Sequence, residues 1–200
     1  MRDRDVRIAL RESVLSAHLN DPNTRVIEEL GIWSGTVRID VAVLNGEFCG
    51  YEIKSDRDTL ERLPYQVEIY SKVFDRLTLV VGSKHAKKAV EIVPKWWGIT
   101  IAREVSGLVK LYPRRSPKKN RLIDPRILCE QLLKVEALEL LHRYDTAKGW
   151  SAKGRTAVFQ QVLNAVPAQC LANEVREILK QRGNTLRQPS ADEFDMPIHA

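Results

Sequence analysis

The spacing of apolar and polar residues divides the first half of the chain into one helix and three strands. Apolar residues recur every three or four positions over residues 4–19, which predicts an amphipathic helix, and DPNT ends it. The segment TRVIEEL is predicted to form a short strand. Two β-branched runs then meet at Asn45-Gly46, a pair of residues typical of a hairpin turn.

The same pattern continues with alternating helices and strands. Residues 60–74 return to helical spacing, and Pro64 marks the point where a regular helix begins or kinks. RLTLVVG predicts a buried strand, KHAKKAVEIVP a helix, and GITIAREV and GLVKLYP two more strands. The resulting order α-β-β-β-α-β-α-β predicts an α/β protein with a mixed β-sheet flanked by helices.

The last third of the chain is rich in helix-forming residues. Three helices are predicted, in DPRILCEQLLKVEALELLHRYD, SAKGRTAVFQQVLNAV and AQCLANEVREILKQR. We therefore predict a core over 1–112, a basic linker over 113–124 and a small C-terminal helical subdomain over 125–182. Residues 183–200 show no periodicity and are predicted to be disordered.

Composition limits the class of protein. With 200 residues, 44% hydrophobic and 29% charged, the chain can bury one core of ordinary size with a small appendage. No apolar run approaches the roughly 18 residues of a membrane span, and the charged start MRDRDVRIALRES does not resemble a signal peptide. Three scattered cysteines predict reduced core thiols. These features predict a cytoplasmic protein without membrane attachment.

The net charge of +6 favours a polyanionic partner. The excess of positive charge is concentrated in residues 103–126, where YPRRSPKKNR cannot form a regular helix. One interpretation is a solvated connector. The other is a strap that contacts nucleic-acid phosphates through its cations, which are Arg114, Arg115, Lys118, Lys119 and Arg121.

Charged residues inside the predicted hairpin are unusual for core strands. A two-residue loop would place Asp40 and Glu52 on opposite faces of the sheet. A three-residue loop with Gly46 in the left-handed region shifts the register by one and brings Asp40, Glu52 and Lys54 to one face. The sequence permits both registers, but burying unpaired charges separately costs several kcal/mol each, which favours convergence.

Two converging carboxylates and a lysine are typical of a divalent-cation site. Mg²⁺ or Mn²⁺ accepts carboxylate and carbonyl oxygens and keeps water molecules, one of which can become a nucleophile. Lys54 could orient that water or offset negative charge in a transition state. The structural alternative is a buried ion-pair cluster without a metal.

Asp40 followed by Glu52-Ile53-Lys54 resembles the motif of the PD-(D/E)XK nuclease superfamily. Residues 24–82 are similar to a little-characterised bacterial branch of it and to MmcB-type DNA-repair endonucleases. Gln66 and Tyr70 resemble the QxxxY signature of RecB-like members, although Ile39 stands where the motif has proline.

The resemblance implies a restriction-endonuclease-like fold with an α-β-β-β-α-β core. It implies a Mg²⁺- or Mn²⁺-dependent nuclease that hydrolyses DNA, with Asp40, Glu52, Lys54 and Gln66 as catalytic residues. The implied metal ligands are Glu29 (or the adjacent Glu28), Asp40, Glu52 and Ile53. The helix of the QxxxY signature is expected to place Gln66 near the metal or the DNA, and Tyr70 is expected to contact nucleic acid. The alternative is an inactive nucleic-acid-binding accessory module with the same fold. The oligomeric state stays open, a homodimer included.

Overall fold

The computed structural model describes residues 1–33 and 35–182. The chain forms two compact units, one made of residues 1–30 and 38–123, the other of residues 31–37 and the chain from 124 onward. The predicted disorder of 183–200 lies outside the described residues. No helix in the described ranges is long and apolar enough to cross a membrane.

A mixed six-stranded sheet organises the α/β architecture, as the pattern predicted. Its strands lie side by side in chain order. The β2–β3 and β5–β6 pairs are antiparallel, and β3–β4 and β4–β5 are parallel. The strands are β1 (Arg25–Ile32), β2 (Val37–Leu44), β3 (Phe48–Lys54), β4 (Arg76–Gly82), β5 (Gly98–Val105) and β6 (Leu108–Arg115).

Helices of the first unit cover the sheet and connect its parallel strands. Helix α1 (Asp3–Leu10) continues through a π-helical turn, Arg11–Leu15, into the short α2 (Ser16–Leu19). Buried apolar residues of α1 and this turn pack against β2, β3, β4 and β5. Helix α3 (Leu63–Tyr70) links β3 to β4, and α4 (Ala86–Ile92) links β4 to β5.

The second unit contains α5 (Pro125–Cys129), α6 (Lys134–Arg143), α7 (Arg155–Ala165) and α8 (Ala168–Gln181). The prediction of one helix over 124–145 was wrong, because the helix is interrupted between α5 and α6. The backbone N–H of Leu133 donates to Glu136 Oε2 over 2.7 Å, which caps the new helix. Arg182 donates to the carbonyl of Gln131, and Arg155 to those of Glu130 and Leu132. These arginines replace hydrogen bonds that a continuous helix would make.

Candidate functional site

The hairpin between β2 and β3 has one of the two registers that the sequence permits. Val41 lies opposite Tyr51 and Leu44 opposite Phe48, so the loop consists of residues 45–47. Gly46 has a φ of +94°, in the left-handed region that favours glycine. Of the two registers that the sequence permits, the three-residue loop is therefore the one observed. The printed pairing ends at Val41, and the negative charge of Asp40 still acts on Glu52 near the carboxyl end of β3.

Glu52 lies at the centre of a buried polar cluster. Its Oε1 accepts hydrogen bonds from Lys54 Nζ and from Gln66 Nε2, both over 2.7 Å. Glu52 is 2% exposed, Lys54 6% and Gln66 7%. Among the described residues, none donates a hydrogen bond to Glu52 Oε2 or to Gln66 Oε1, although both oxygens are buried. Buried acceptors without a donor are rare in folded proteins, so these two oxygens require an explanation.

Asp40 has a different set of partners. Its Oδ2 accepts the backbone N–H of Ile53 over 2.6 Å, and its Oδ1 pairs with Arg7 Nη2. The same Nη2 atom lies 2.5 Å from Glu29 Oε1, and Arg7 Nε donates to Asp3 Oδ2 over 2.7 Å. Arg7 is thus a cation shared by Asp40 and Glu29, two of the predicted metal ligands. Glu28, the alternative to Glu29, pairs instead with Arg11.

The regular alternation of side chains between the two faces of the sheet is interrupted in β2 at Asp40. Val41 packs in the cluster beneath α1. The Ile39 side chain instead lies over Gly50, where a Cβ on the glycine would point. Leu77 and Phe74 contact the same position. Residues 39 and 41 of a regular strand share a face, so their separation marks an irregularity at Asp40. This irregularity lets Asp40 reach both the Arg7 guanidinium and the backbone of β3.

Burial governs the protonation of both carboxylates. Burial and the negative charge of Asp40 raise the pKa of Glu52 to about 7, against the opposing effect of Lys54. Burial also raises the pKa of Asp40 to about 6, although the Ile53 N–H and the Arg7 charge favour its ionised form. A cation bound between these carboxylates would supply the positive charge that keeps both ionised near neutral pH.

The donor set fits a hard divalent cation that keeps part of its water shell. Asp40 and Glu52 offer two carboxylates, and Mg²⁺ sites are commonly built from one or two carboxylates plus water. Glu52 Oε2 is a buried oxygen with no hydrogen-bond donor among residues 1–33 and 35–182. The described residues hold no group of three or more His, Cys, Asp or Glu side chains arranged to bind a metal. Glu29, the third predicted acidic ligand, is turned to Arg7.

Gln66 and Tyr70 share one face of α3, as their spacing predicted. Gln66 Nε2 lies 3.4 Å from the Tyr70 hydroxyl, and that hydroxyl donates to the carbonyl of Arg38 over 2.6 Å. Tyr70 is fully buried, with its ring beside those of Phe74 and Trp97. The prediction that Tyr70 contacts nucleic acid is therefore wrong for this conformation, since its ring and hydroxyl are engaged inside the protein.

The predicted basic linker is neither a free loop nor close to Glu52. Arg114 and Arg115 are the last residues of β6, which corrects their placement in a loop. Arg115 donates to the carbonyls of Trp97 and Pro94, so its guanidinium supports the fold. Lys118, Lys119 and Arg121 are exposed, and Lys119 lies 3.5 Å from Glu47.

The segment after β6 is hydrogen-bonded to the chain at the amino end of β4. Asn120 donates to the carbonyls of Ser71 and Phe74, just before β4 begins. Arg76, the first residue of β4, donates to the carbonyl of Pro117. Arg76 pairs with Cys49, so at the usual rise of about 3.3 Å per residue Glu52 lies about 10 Å and Lys54 about 17 Å further along β3. The cations of this segment thus lie toward the end of β3 opposite Lys54.

The sequence analysis did not identify Arg7 as part of the site. An arginine on the polar side of an amphipathic helix is ordinary, and nothing in its spacing connects it to a strand 33 positions later. The proximity of Arg7 to Asp40 is created by the packing of α1 on the sheet.

Comparison with known proteins places the chain in a phage family. The family described as "Bacteriophage P4 protein cII" matches residues 1–189, and the chain therefore belongs to it. Protein cII of Enterobacteria phage P4 is 28% identical over 211 residues, an alignment that covers 100% of this chain and 73% of the relative. Neither name states a chemical activity.

Proposed function

We propose that this member of the bacteriophage P4 protein cII family is a metal-dependent DNA nuclease with a restriction-endonuclease-like fold of the PD-(D/E)XK type. The observation that carries the proposal is Glu52, a buried carboxylate whose Oε2 has no donor in the described chain. Lys54 and Gln66 hold its other oxygen, and the negative charge of Asp40 acts on it. Buried acceptors without a protein donor are rare, and a bound cation would satisfy this one.

Asp40 and Glu52 would hold Mg²⁺ or Mn²⁺ in this function. When bound, the metal would supply a Lewis acid and a water of lowered pKa for attack on a phosphodiester. Ile53 donates its backbone N–H to Asp40 Oδ2, which fixes that carboxylate and leaves Oδ1 to exchange partners. Glu29 would contribute a third carboxylate after release from Arg7.

Lys54 is the group best placed to act on the reacting phosphate. Its ammonium is compact, nearly buried and already oriented by Glu52 Oε1. A preorganised positive charge in a site of low dielectric stabilises developing negative charge better than one in water. Gln66 holds the same oxygen from the α3 side, so it positions Glu52 and directs Glu52 Oε2 away from Lys54.

A second candidate function is a nucleic-acid-binding module that does not cleave. Arg7 pairs with both Asp40 and Glu29, which gives these carboxylates a cation without any metal. In this alternative the charged cluster only stabilises the fold. The two functions differ in whether a divalent ion binds with the help of Asp40.

Calorimetric titration with Mn²⁺ and Mg²⁺ separates the two functions. Wild type should bind, Asp40→Asn should lose most of the affinity, and Glu47→Gln, at the opposite end of β3, should bind like wild type. Cleavage should be assayed in parallel on linear, circular, nicked and branched DNA with Mn²⁺. Absence of metal binding by a folded wild-type protein would overturn the nuclease proposal and favour the module.

A further inference from the structure

The carboxyl ends of β3 and β4 carry a group of exposed cations outside the predicted linker. The turn after β3 carries Arg57, and Arg62 precedes the first residue of α3. The turn after β4 and the first turn of α4 carry the remaining members, so that the exposed set is Arg57, Arg62, Lys84, Lys87 and Lys88. We name these residues the carboxyl-end cations.

The carboxyl-end cations form no ion pair with any of the described residues. The side chains of Arg57 and Arg62 form no hydrogen bond or ion pair with any residue in the described ranges. The acidic residues nearest in sequence are turned to the backbone: Asp56 Oδ1 accepts the N–H of Lys84 over 3.1 Å, and Asp58 Oδ2 that of Ser55 over 2.7 Å. Glu61 and Glu91 are exposed acids of this region, and Asp56 and Asp58 keep their negative charge while they accept these N–H groups. The side chains of the five cations nevertheless face solvent.

The turns that hold these cations are tightly connected. Asp56 packs so closely on Gly82 that a Cβ at Gly82 would overlap Asp56 Oδ1. This contact joins the turn after β3 to the turn after β4. Cations on a held backbone bind a phosphate chain with less ordering cost than the same side chains on a free loop.

The cations also lie at the correct end of the sheet. Lys54 ends β3 and pairs with Val81 of β4, so both turns begin where the polar cluster of Glu52 ends. Arg62 is one helical turn before Gln66, whose amide reaches Glu52. Parallel strands commonly bind ligands at their carboxyl ends. The predicted linker cations lie at the amino ends.

We infer that the carboxyl-end cations bind the phosphodiester backbone of nucleic acid and direct it to Glu52 and Lys54. The inference rests on the proposed function and names its binding surface. It transfers the role expected of Arg114, Lys118 and Lys119 to a different set of residues. Tyr65, 47% exposed and adjacent to Gln66, adds an aromatic face that a nucleotide can cover.

Fluorescence anisotropy with a labelled duplex, in EDTA and over a range of salt, tests this surface. Arg57→Ala/Arg62→Ala/Lys84→Ala should lower affinity about 10- to 100-fold at low salt and reduce the salt slope by roughly 0.9 for each phosphate that the variant no longer neutralises. The matched control, Arg114→Ala/Lys118→Ala/Lys119→Ala, removes the same charge and should change affinity less than threefold. Unchanged thermal unfolding would show that both variants fold.

A DNA duplex and an RNA duplex of the same sequence identify the source of the phosphates. A larger loss in the control variant, or equal losses in both, would overturn the inference, as would a wild type that binds neither duplex. Because the assay needs no metal, a protein that binds through this surface but takes up no Mn²⁺ would refute the proposed nuclease and leave this inference standing.

Discussion

Each unit of the protein buries a glutamate beside a cation, and the two glutamates are treated differently. In the second unit, Arg182 donates to Glu136 Oε1 over 2.7 Å and to Oε2 over 2.6 Å, and the Leu133 N–H adds a third bond. In the first unit, both donors to Glu52 converge on Oε1. Both carboxylate oxygens of Glu136 accept hydrogen bonds, whereas Glu52 Oε2 accepts none from the described part of the chain.

This difference separates a structural ion pair from a candidate site. A buried carboxylate that serves only the fold is expected to satisfy all its acceptor positions, since each unsatisfied group costs about 1–3 kcal/mol. Arg182 achieves this with a planar fork, which matches both oxygens of Glu136. Lys54 offers a single ammonium to one oxygen. Burial and charge are shared by the two glutamates, so saturation of the oxygens is the informative property.

The largest expected effect is a loss of stability when the Glu136–Arg182 ion pair is broken. Arg182→Ala leaves Glu136 buried without its cation, and the second unit should lose about 3–5 kcal/mol of stability. Urea unfolding followed by circular dichroism measures this loss, and Arg126→Ala, at an exposed position of α5, is the control. A loss below about 1 kcal/mol would show that the Glu136–Arg182 pair does not stabilise the unit.

Lys54→Ala should act mainly on rate. If the ammonium stabilises the transition state, cleavage should fall by roughly 10² or more, a few kcal/mol of barrier, while Mn²⁺ affinity stays equal or rises. Asp40→Ala should abolish both, and Lys54→Arg should not restore cleavage, because a planar fork does not replace a compact ammonium. If Lys54→Ala cleaves as fast as wild type, in preparations free of contaminating nuclease, then Lys54 is only an ion-pair partner of Glu52.

The protonation of Glu52 gives stability a pH dependence in the absence of metal. Its pKa is about 7 when folded and 4.5 ordinarily, so between these values the folded state holds a proton that the unfolded chain has lost. Stability should therefore fall as pH rises from about 5 to 8, by about 1–3 kcal/mol. Glu52→Gln should flatten this fall in urea unfolding with EDTA. An equally steep profile in the variant would place the titration elsewhere.

The smallest expected effect concerns Arg7. Because its guanidinium pairs with Asp40 and Glu29, metal binding must compete with it, and Arg7→Gln should raise Mn²⁺ affinity about three- to tenfold. Arg11→Gln, which removes the exposed pair with Glu28, is the control for net charge. Weaker metal binding by Arg7→Gln would mean that Arg7 positions Asp40 instead of competing for it.

The sequence predicted local structure well where one pattern dominated. The strands RLTLVVG and GITIAREV have the predicted bounds. Their short apolar runs, rich in β-branched residues, do not show the spacing of an amphipathic helix. The hairpin register was open, since Asn45-Gly46 suits both loop lengths. Only packing of the strands selects the three-residue loop.

Other errors arose from interactions between distant residues. The interruption near Leu133 depends on Arg155 and Arg182, which lie in α7 and just after α8. Residues 113–115 were predicted to belong to the linker, but they continue β6, since an edge strand tolerates a residue without an N–H. The roles of Arg7 and Tyr70 depend on helix packing, which the spacing of residues along one helix does not encode.

The chain-order arrangement of the strands has a consequence for folding. Asp40, Glu52, Lys54 and Gln66 belong to one continuous stretch, and each strand of the sheet pairs with its neighbour in sequence. Contacts of short sequence separation form early because little loop-closure entropy opposes them. During synthesis the hairpin and α3 can associate while the C-terminal helices are still within the ribosome. The polar cluster of Glu52 thus belongs to the part of the molecule expected to assemble first.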